Sequence, residues 1–162
     1  MNFSIDPPPN SAAAPDFALR PATDADFEFA RWLYMDSMQP LLTALDEWNE
    51  AEMEAAFRGY FIPDEIRIVQ VAGRDVGWIQ VSFTDDELCL DQLHLTEDVR
   101  GQGIGTALIN GVIAAATSQR KNVTLSLVKG NPAIRLYRRL GFKRLSEDKT
   151  KIHKRFEIRS PE

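Results

Sequence analysis

The sequence has one cysteine, Cys89, and two histidines, His94 and His153. A lone cysteine excludes an internal disulfide, and one thiol with two imidazoles at these spacings makes no familiar zinc cluster, so no metal is expected. Apolar runs are short and interrupted, which excludes a spanning helix and leaves no visible membrane anchor. Residues 1–15 lack both a basic start and a long apolar stretch. Pro7-Pro8-Pro9 followed by Asn, Ser and Ala reads as a flexible leader rather than a signal peptide, and a cytoplasmic location follows as the expectation. Basic residues are scarce in one part of the chain: residues 1–98 carry 5 Lys and Arg against 20 Asp and Glu, net −15, whereas residues 99–162 carry net +10. Most of these charges belong on a solvated surface, but the asymmetry suggests an anionic ligand on the C-terminal part and a cationic one near the N-terminal part. The rest is ordinary for a globular protein, with 162 residues, 44% hydrophobic and 27% charged. That argues for a single domain over 16–162, without room for two independent enzyme domains.

The apolar periodicity orders the elements. Phe17 to Arg20 reads as a short strand ended by Pro21, and Thr23-x-x-Asp26 resembles a capping box that opens a helix with Phe27, Ala30, Leu33 and Tyr34 on one face. A loop is expected around Pro40 and a second helix over Asp46 to Gly59. From Ile66 the period becomes two, giving an antiparallel meander of three strands over Ile66 and Ile68, Val76 to Phe83, and Glu87 to Leu95. In the third of these strands the apolar positions run Leu88, Leu90, then Leu93, Leu95. A β-bulge at Asp91-Gln92 explains this slip, and burial on both faces explains it equally well. A helix follows from Ile104 to Ala116, then a strand over Val123 to Val128. A helix over Pro132 to Leu140 is closed by Gly141, and two last strands lie around Phe142 to Leu145 and Ile152 to Ile158.

Arg100-Gly-Gln-Gly-Ile-Gly-Thr106 stands between a strand and a helix, where backbone N–H groups and a helix dipole can hold a phosphate. A tight turn needing glycine for geometry alone is the competing reading. A P-loop would need Gly-Lys-Ser/Thr at the helix start, and no lysine follows Gly105. A dinucleotide fingerprint would need glycine or alanine at 106 and an acidic residue where the chain has Arg120 and Lys121. Both nucleotide readings fail.

The pattern Arg/Gln-x-x-Gly-x-Gly/Ala is met by Arg100, Gly103 and Gly105, and it resembles the pyrophosphate loop of the GNAT superfamily of acyl-CoA-dependent N-acetyltransferases. The preceding Leu93-His-Leu-Thr-Glu-Asp-Val99 is similar to that family's strand end and connector. Downstream, Asn131-Pro-Ala-Ile-Arg-Leu-Tyr-Arg-Arg-Leu-Gly-Phe142 resembles its second motif. The resemblance spans Phe17 to Ile158. It implies an α/β fold with a mixed, mostly antiparallel sheet of about seven strands, helices on both faces and a bulged fourth strand. Acetyl-CoA would be the acyl donor, with backbone groups of Leu93 and Leu95 on the pantetheine arm. Gly101, Gln102, Gly103, Ile104, Gly105 and Thr106 would hold the pyrophosphate, with Arg100, Arg135 and Arg138 meeting phosphates and Asn131 belonging to the second motif. His94 is expected to be structural.

The same resemblance makes Tyr137 the proton donor to the departing CoA thiolate, a role suited to a phenol that stays protonated at neutral pH. An attacking amine must also lose a proton, and two carboxylates are candidate bases. Glu87 stands 13 residues before Arg100, the spacing used by some histone-acetylating members, and Asp91-Gln92 resembles a pair in aminoglycoside-acetylating members. A solvated strand-start carboxylate and a bulge-capping side chain are their plain alternatives. Cys89 is expected to be a small core residue. The implied function is acetyl transfer to a primary amine of a cationic small molecule, held by carboxylates among Asp36, Asp46, Glu47, Glu87 and Asp91 with Trp32, Trp48, Tyr60 and Phe61 walling a cleft. The alternative is a catalytically degenerate acyl-CoA-binding sensor or interaction module. A monomer or homodimer is expected. Nucleic acid is not an expected partner, because the basic stretch Lys143 to Arg155 alternates with apolar residues and lacks clustered aromatics.

Overall fold

The computed structural model describes Ile5 and residues 15–158. Ile5 is buried in the main core, and apart from it and Pro15 the leader assigned to residues 1–15 lies outside the described residues. In chain order the elements are β1 (Ala18–Pro21), α1 (Phe27–Ala44), α2 (Glu50–Tyr60), β2 (Ile66–Val71), β3 (Arg74–Phe83), β4 (Glu87–Leu95), α3 (Ile104–Ser118), β5 (Asn122–Val128), α4 (Ile134–Arg139), β6 (Lys143–Glu147) and β7 (Lys151–Phe156). They build one seven-stranded sheet in the order β1-β2-β3-β4-β5-β7-β6. Short turns join β2, β3 and β4, so these strands pair antiparallel. α3 carries the chain across one face between β4 and β5, which therefore run parallel.

That parallel pairing covers four residues, from Glu87 opposite Asn122 to Leu90 opposite Leu125. Beyond it β4 stays on β3, while β5 stays on β7 with Ser126 opposite His153 and Val128 opposite Lys151. The two strands part, and among the described residues no strand lies beside this edge of β4 from Asp91 to Leu95. The bulge lies where the parting begins: Gln80 pairs with Gln92 and Val81 with Leu90, so Asp91 is the extra residue. This settles the phase slip in favour of a bulge, since it keeps Leu88, Leu90 and Leu93 packed with one core.

Helices cover both faces of the sheet. α1 and α2 bury Leu33, Tyr34 and Phe57 against Ile66, Ile68 and Trp78. α3 buries Leu108, Ile109 and Val112 on the other face against Ile79, Val81 and Leu88, with α4 beside it through Tyr137. The entry to α1 is the expected capping box, formed by Thr23 and Asp26 around a 3-10 turn.

Three expectations about element limits are corrected. Pro40 lies inside α1 rather than in a loop, because Leu42 beyond it is buried and its packing holds the last turn helical past the missing N–H. The second helix starts at Glu50, not Asp46, because Asn49 accepts from the Glu52 N–H as its cap while Asp46 takes a positive φ of 57°. The helix expected over Pro132 to Leu140 is confined to Ile134–Arg139, the proline belonging to the turn before it.

Gly77 holds β3 against the end of β4. A Cβ there would lie 2.4 Å from the His94 carbonyl oxygen and 2.7 Å from Leu95 Cδ2. A backbone atom cannot swing aside as a side chain can, so Gly77→Ala should cost about 2 kcal/mol, read as a lower urea midpoint at unchanged slope. A midpoint equal to that of the wild type would show that the two strands separate freely.

Candidate active site

β4 ends at Leu95 and α3 begins at Ile104, with Gly101 at φ 76° and Gly103 at φ 92° between them. Gly103 is the N-cap of α3, and among the described residues no side chain caps that end. The N–H groups of Ile104, Gly105 and Thr106 have no acceptor within their own helix, no acidic residue stands in the first turn, and the positive end of the dipole is left open. The loop side chains brace the backbone: Arg100 Nε donates to the Leu95 carbonyl at 2.9 Å and Gln102 Nε2 to the Asp98 carbonyl at 3.1 Å. Arg100 therefore keeps its charge at the end of β4. A Cβ on Gly105 would touch Leu95 and Leu136 side chains at 4.0 Å, so the start of α3, the end of β4 and α4 converge here.

The second candidate segment sits across the gap. Asn131 Oδ1 accepts from the Ala133 N–H at 2.9 Å and turns the chain into α4. Tyr137 is 5% exposed, its ring meets Phe142 edge-on at 5.4 Å, and burial pushes its phenol well above the ordinary range. Its hydroxyl stays protonated at neutral pH. Arg135 and Arg138 are exposed on the same short helix. Arg138 stands close enough to buried Lys154 to add to the larger effect of desolvation in lowering its ammonium pKa.

On the α2 side of the sheet, a cleft of about 450 Å³ opens where β4 and β5 part. It is lined by Tyr60 and Glu65, by Gln80, Cys89, Asp91 and Gln92 of β3 and β4, and by Thr124, Ser126, Lys151, His153 and Lys154 of β5 and β7. Gln80 is 2% exposed; its amide nitrogen donates to the Tyr60 carbonyl at 2.6 Å and to Glu65 Oε1 at 3.0 Å. Those two acceptors fix the amide orientation, and Gln80 Oε1 is left buried without a partner among the described residues. The Asp91 carboxyl is held above the usual carboxylate range, chiefly by desolvation, with the Glu65 charge adding and a hydrogen bond from Ser82 opposing.

Glu87 and Asp91 end in different surroundings. Glu87 Oε1 accepts from Arg155 at 3.1 Å at the closed end of the parallel pairing and does not line the cleft. Among the carboxylates expected to hold an acceptor, Asp91 alone lines it; Glu47 is paired with Lys149, and Asp36 is exposed on α1. Of the four expected wall aromatics only Tyr60 contributes, and Trp32 is 52% exposed. Cys89 is a cleft residue within 3.5 Å of the Thr124 hydroxyl, not a core residue. His94 is structural as expected: it is packed on Trp78 and Tyr34 and bonds Gln92 Oε1 through Nε2 at 2.7 Å, while burial drives its pKa down to about 3.

The cleft also holds a group that the sequence reading passed over. Ser126 Oγ lies 2.6 Å from His153 Nδ1, and His153 Nε2 lies 3.1 Å from Asp148 Oδ2. Ser126 meets His153 through the register of β5 on β7, and Asp148 lies five residues before His153, in the turn that enters β7. A serine and a histidine on alternating strands were the only signal available.

Among the described residues no helix is long and apolar enough to cross a membrane, and no group of His, Cys, Asp and Glu is arranged to hold a metal. Comparison with curated proteins yields no match. Solved structures share the fold. A PaiA N-acetyltransferase from Thermoplasma acidophilum in complex with coenzyme A superposes with TM-score 0.70 at 14% identity, over 88% of this chain and 99% of that one. Naa50 from Arabidopsis thaliana, in complex with the bisubstrate analogue CoA-Ac-MVNAL, gives 0.64 at 17% over 88% and 99%. Ard1 from Thermoplasma volcanium gives 0.62 at 21% over 86% and 95%. The model of the acetyltransferase (GNAT) domain matches residues 63–144, from the turn before β2 into β6 and so through the bulge, the glycine loop and Tyr137. The chain belongs to the GNAT acetyltransferase family.

Proposed function

We propose that this protein transfers the acetyl group of acetyl-CoA to a primary amine. The observation that carries this reading is the uncapped, glycine-lined start of α3 beside the unpaired edge of β4: a run of free N–H groups for a pyrophosphate, continuous with a strand edge for the amide-bearing pantetheine arm. The coenzyme A of the PaiA structure and the CoA analogue of the Naa50 structure support it as ligands of proteins with the same fold. The thioester would lie in the gap between β4 and β5, its carbonyl polarised by a backbone N–H at Leu93. Amine nitrogen attacks the carbonyl carbon, the carbon–sulfur bond breaks, and Tyr137 donates its proton to sulfur. One domain over 16–162 would do this alone, without a metal or a covalent intermediate.

The acceptor enters by the cleft on the opposite face. Asp91, Glu65 and Gln80 Oε1, which has no partner among the described residues, give the bulge side of the cleft its hydrogen-bond acceptors, while Lys151 and Lys154 line the β7 side; an ammonium or a polyamine suits the acidic side. With acetyl-CoA saturating, thiol release should be compared for spermidine, kanamycin, a short peptide with a free N-terminus, and glutamate. Transfer should favour the cationic amines, with kcat/KM falling steeply as salt rises. Preferred transfer to glutamate with a flat salt dependence would remove the cationic acceptor, and no thiol release with any amine would remove the transfer itself.

A further inference from the structure

The amine must give up a proton, and Glu87, committed to Arg155, is not free to take it. Asp91, whose carboxyl desolvation and the Glu65 charge hold above the usual range, is the rival base. We propose that Ser126 and His153 carry the proton away, Ser126 Oγ receiving it from the acceptor nitrogen while passing its own to His153 Nδ1, with Asp148 holding the imidazolium that results. The proposal rests on amine acetylation and adds to it the route of the proton.

The direction of each bond follows from the groups involved. A carboxylate only accepts, so His153 Nε2 carries a hydrogen and donates it to Asp148 Oδ2 at 3.1 Å. In the neutral ring Nδ1 is then a bare acceptor, and Ser126 Oγ donates to it across 2.6 Å. The lone pairs of Ser126 Oγ remain free for an N–H in the cleft. Asp148 is fixed for this part: its Oδ1 accepts the backbone N–H groups of Thr150 at 3.0 Å and Lys151 at 2.8 Å, leaving Oδ2 to the imidazole. Those two backbone bonds, with His153 third, hold its carboxyl down to about 2, so it stays anionic throughout the working range.

Position agrees with chemistry. Ser126 is the first residue of β5 after Leu125, the last position paired with β4, so its side chain stands where the gap opens. Thr124, two residues earlier on the same face, touches Cys89 of β4, and Ser126 lines one cleft with Asp91 and Gln80. The charged groups around the imidazole are Asp148 from the β6–β7 turn, Lys151 and Arg155 on its own strand face, Lys154 beside it lining the same cleft, and Asp91 and Glu65 across the cleft; Ser146 of β6 lies opposite it. The proton count closes. Nitrogen loses one proton to Ser126 Oγ, the serine proton moves to Nδ1, the carbon–sulfur bond gives its pair to sulfur, and Tyr137 supplies the thiol proton. The imidazolium, part-exposed to water, then returns its proton to solvent, and the Tyr137 phenolate takes one back from solvent; an acceptor that arrives as an ammonium loses its first proton to solvent before attack.

The test compares the wild type with His153→Gln, Ser126→Ala, the double variant and Asp91→Asn, at saturating acetyl-CoA with the best amine of the panel. His153→Gln keeps a polar strand residue but cannot take a proton, so kcat should fall roughly 10²-fold at unchanged KM for acetyl-CoA, with the acidic limb of the pH profile lost. The double variant should fall no further than the single ones, because the two residues act as a unit. His153→Ala should regain rate when free imidazole is added. A wild type that acetylates amines while His153→Gln stays within twofold of it overturns the relay and leaves the transfer reading intact. Loss of the acidic limb in Asp91→Asn alone also overturns it. A wild type that releases no thiol with any amine overturns both.

Discussion

Replacing Tyr137 with phenylalanine is expected to lower kcat roughly 10²-fold, about 2.7 kcal/mol of lost transition-state stabilisation, while KM for acetyl-CoA stays nearly constant. The substitution removes one oxygen and keeps the ring, so the edge-on contact with Phe142 at 5.4 Å and the packing of α4 on the core survive. What disappears is a proton donor that burial keeps fully protonated at neutral pH. Because the loss falls on the departing sulfur, it should shrink with an acetyl donor whose thiol is more acidic than that of CoA, since a better leaving group needs less help from an acid. A purely structural tyrosine would behave differently: rate unchanged, or both donors slowed alike with a lowered Tm. Either result would return Tyr137 to the core.

The features of this site differ in how far they could be read from sequence, and the difference follows the range of the interactions that create them. The phase slip at Asp91 was visible because it is a local event: one inserted residue shifts the apolar phase of a strand, and Leu88, Leu90, Leu93 record the shift; choosing the bulge over burial on both faces took the register of β4 on β3. The glycine loop was visible for a similar reason, since Gly101 and Gly103 take positive φ values that few other residues tolerate. Pro40 misled because its local preference was outweighed by the burial of Leu42 a half-turn later. At Asp46 and Asn49 two residues offered competing helix starts, and the structure uses the one whose side chain reaches an N–H.

The acceptor side was the least legible. Its cleft is walled by residues from α2, β3, β4, β5 and β7, and which side chains share it depends on register between strands distant in sequence. Asp36, Asp46 and Glu47 carried the same formal charge as Asp91 and Glu65 in the sequence; only the fold sets the latter two into the cleft and gives Glu47 to Lys149. The net −15 of residues 1–98 therefore said nothing of which charges share the cleft, where Glu65 and Asp91 stand with Lys151 and Lys154. Gln80 shows the limit most directly. Its amide is oriented by donation to Tyr60 and Glu65, and its buried oxygen has no partner among the described residues, an arrangement with no trace in composition or periodicity.

Acetyl-CoA at about a hundred times its Kd should stabilise the fold by about 2.7 kcal/mol, a rise in Tm of roughly 5–10 °C for a chain of this size, because it binds the folded state alone. Gly103→Val should abolish that rise. Gly103 holds φ 92°, in the left-handed region where a β-branched residue is strained, and it is the residue from which α3 starts. Relieving the strain means rotating the backbone, which turns the N–H groups of Ile104, Gly105 and Thr106 away from a common point and puts a side chain where an anion must approach closely. The variant should therefore fold with a somewhat lower Tm that no longer responds to acetyl-CoA. A second substitution separates strain from binding: Thr106→Val, which keeps the backbone N–H and a compatible helical residue, should retain most of the shift. If millimolar acetyl-CoA leaves the wild type unmoved, the loop is only a turn. A full shift in Gly103→Val would place the pyrophosphate elsewhere, since no arrangement of these N–H groups around one anion accommodates both the strained residue and the bound ligand.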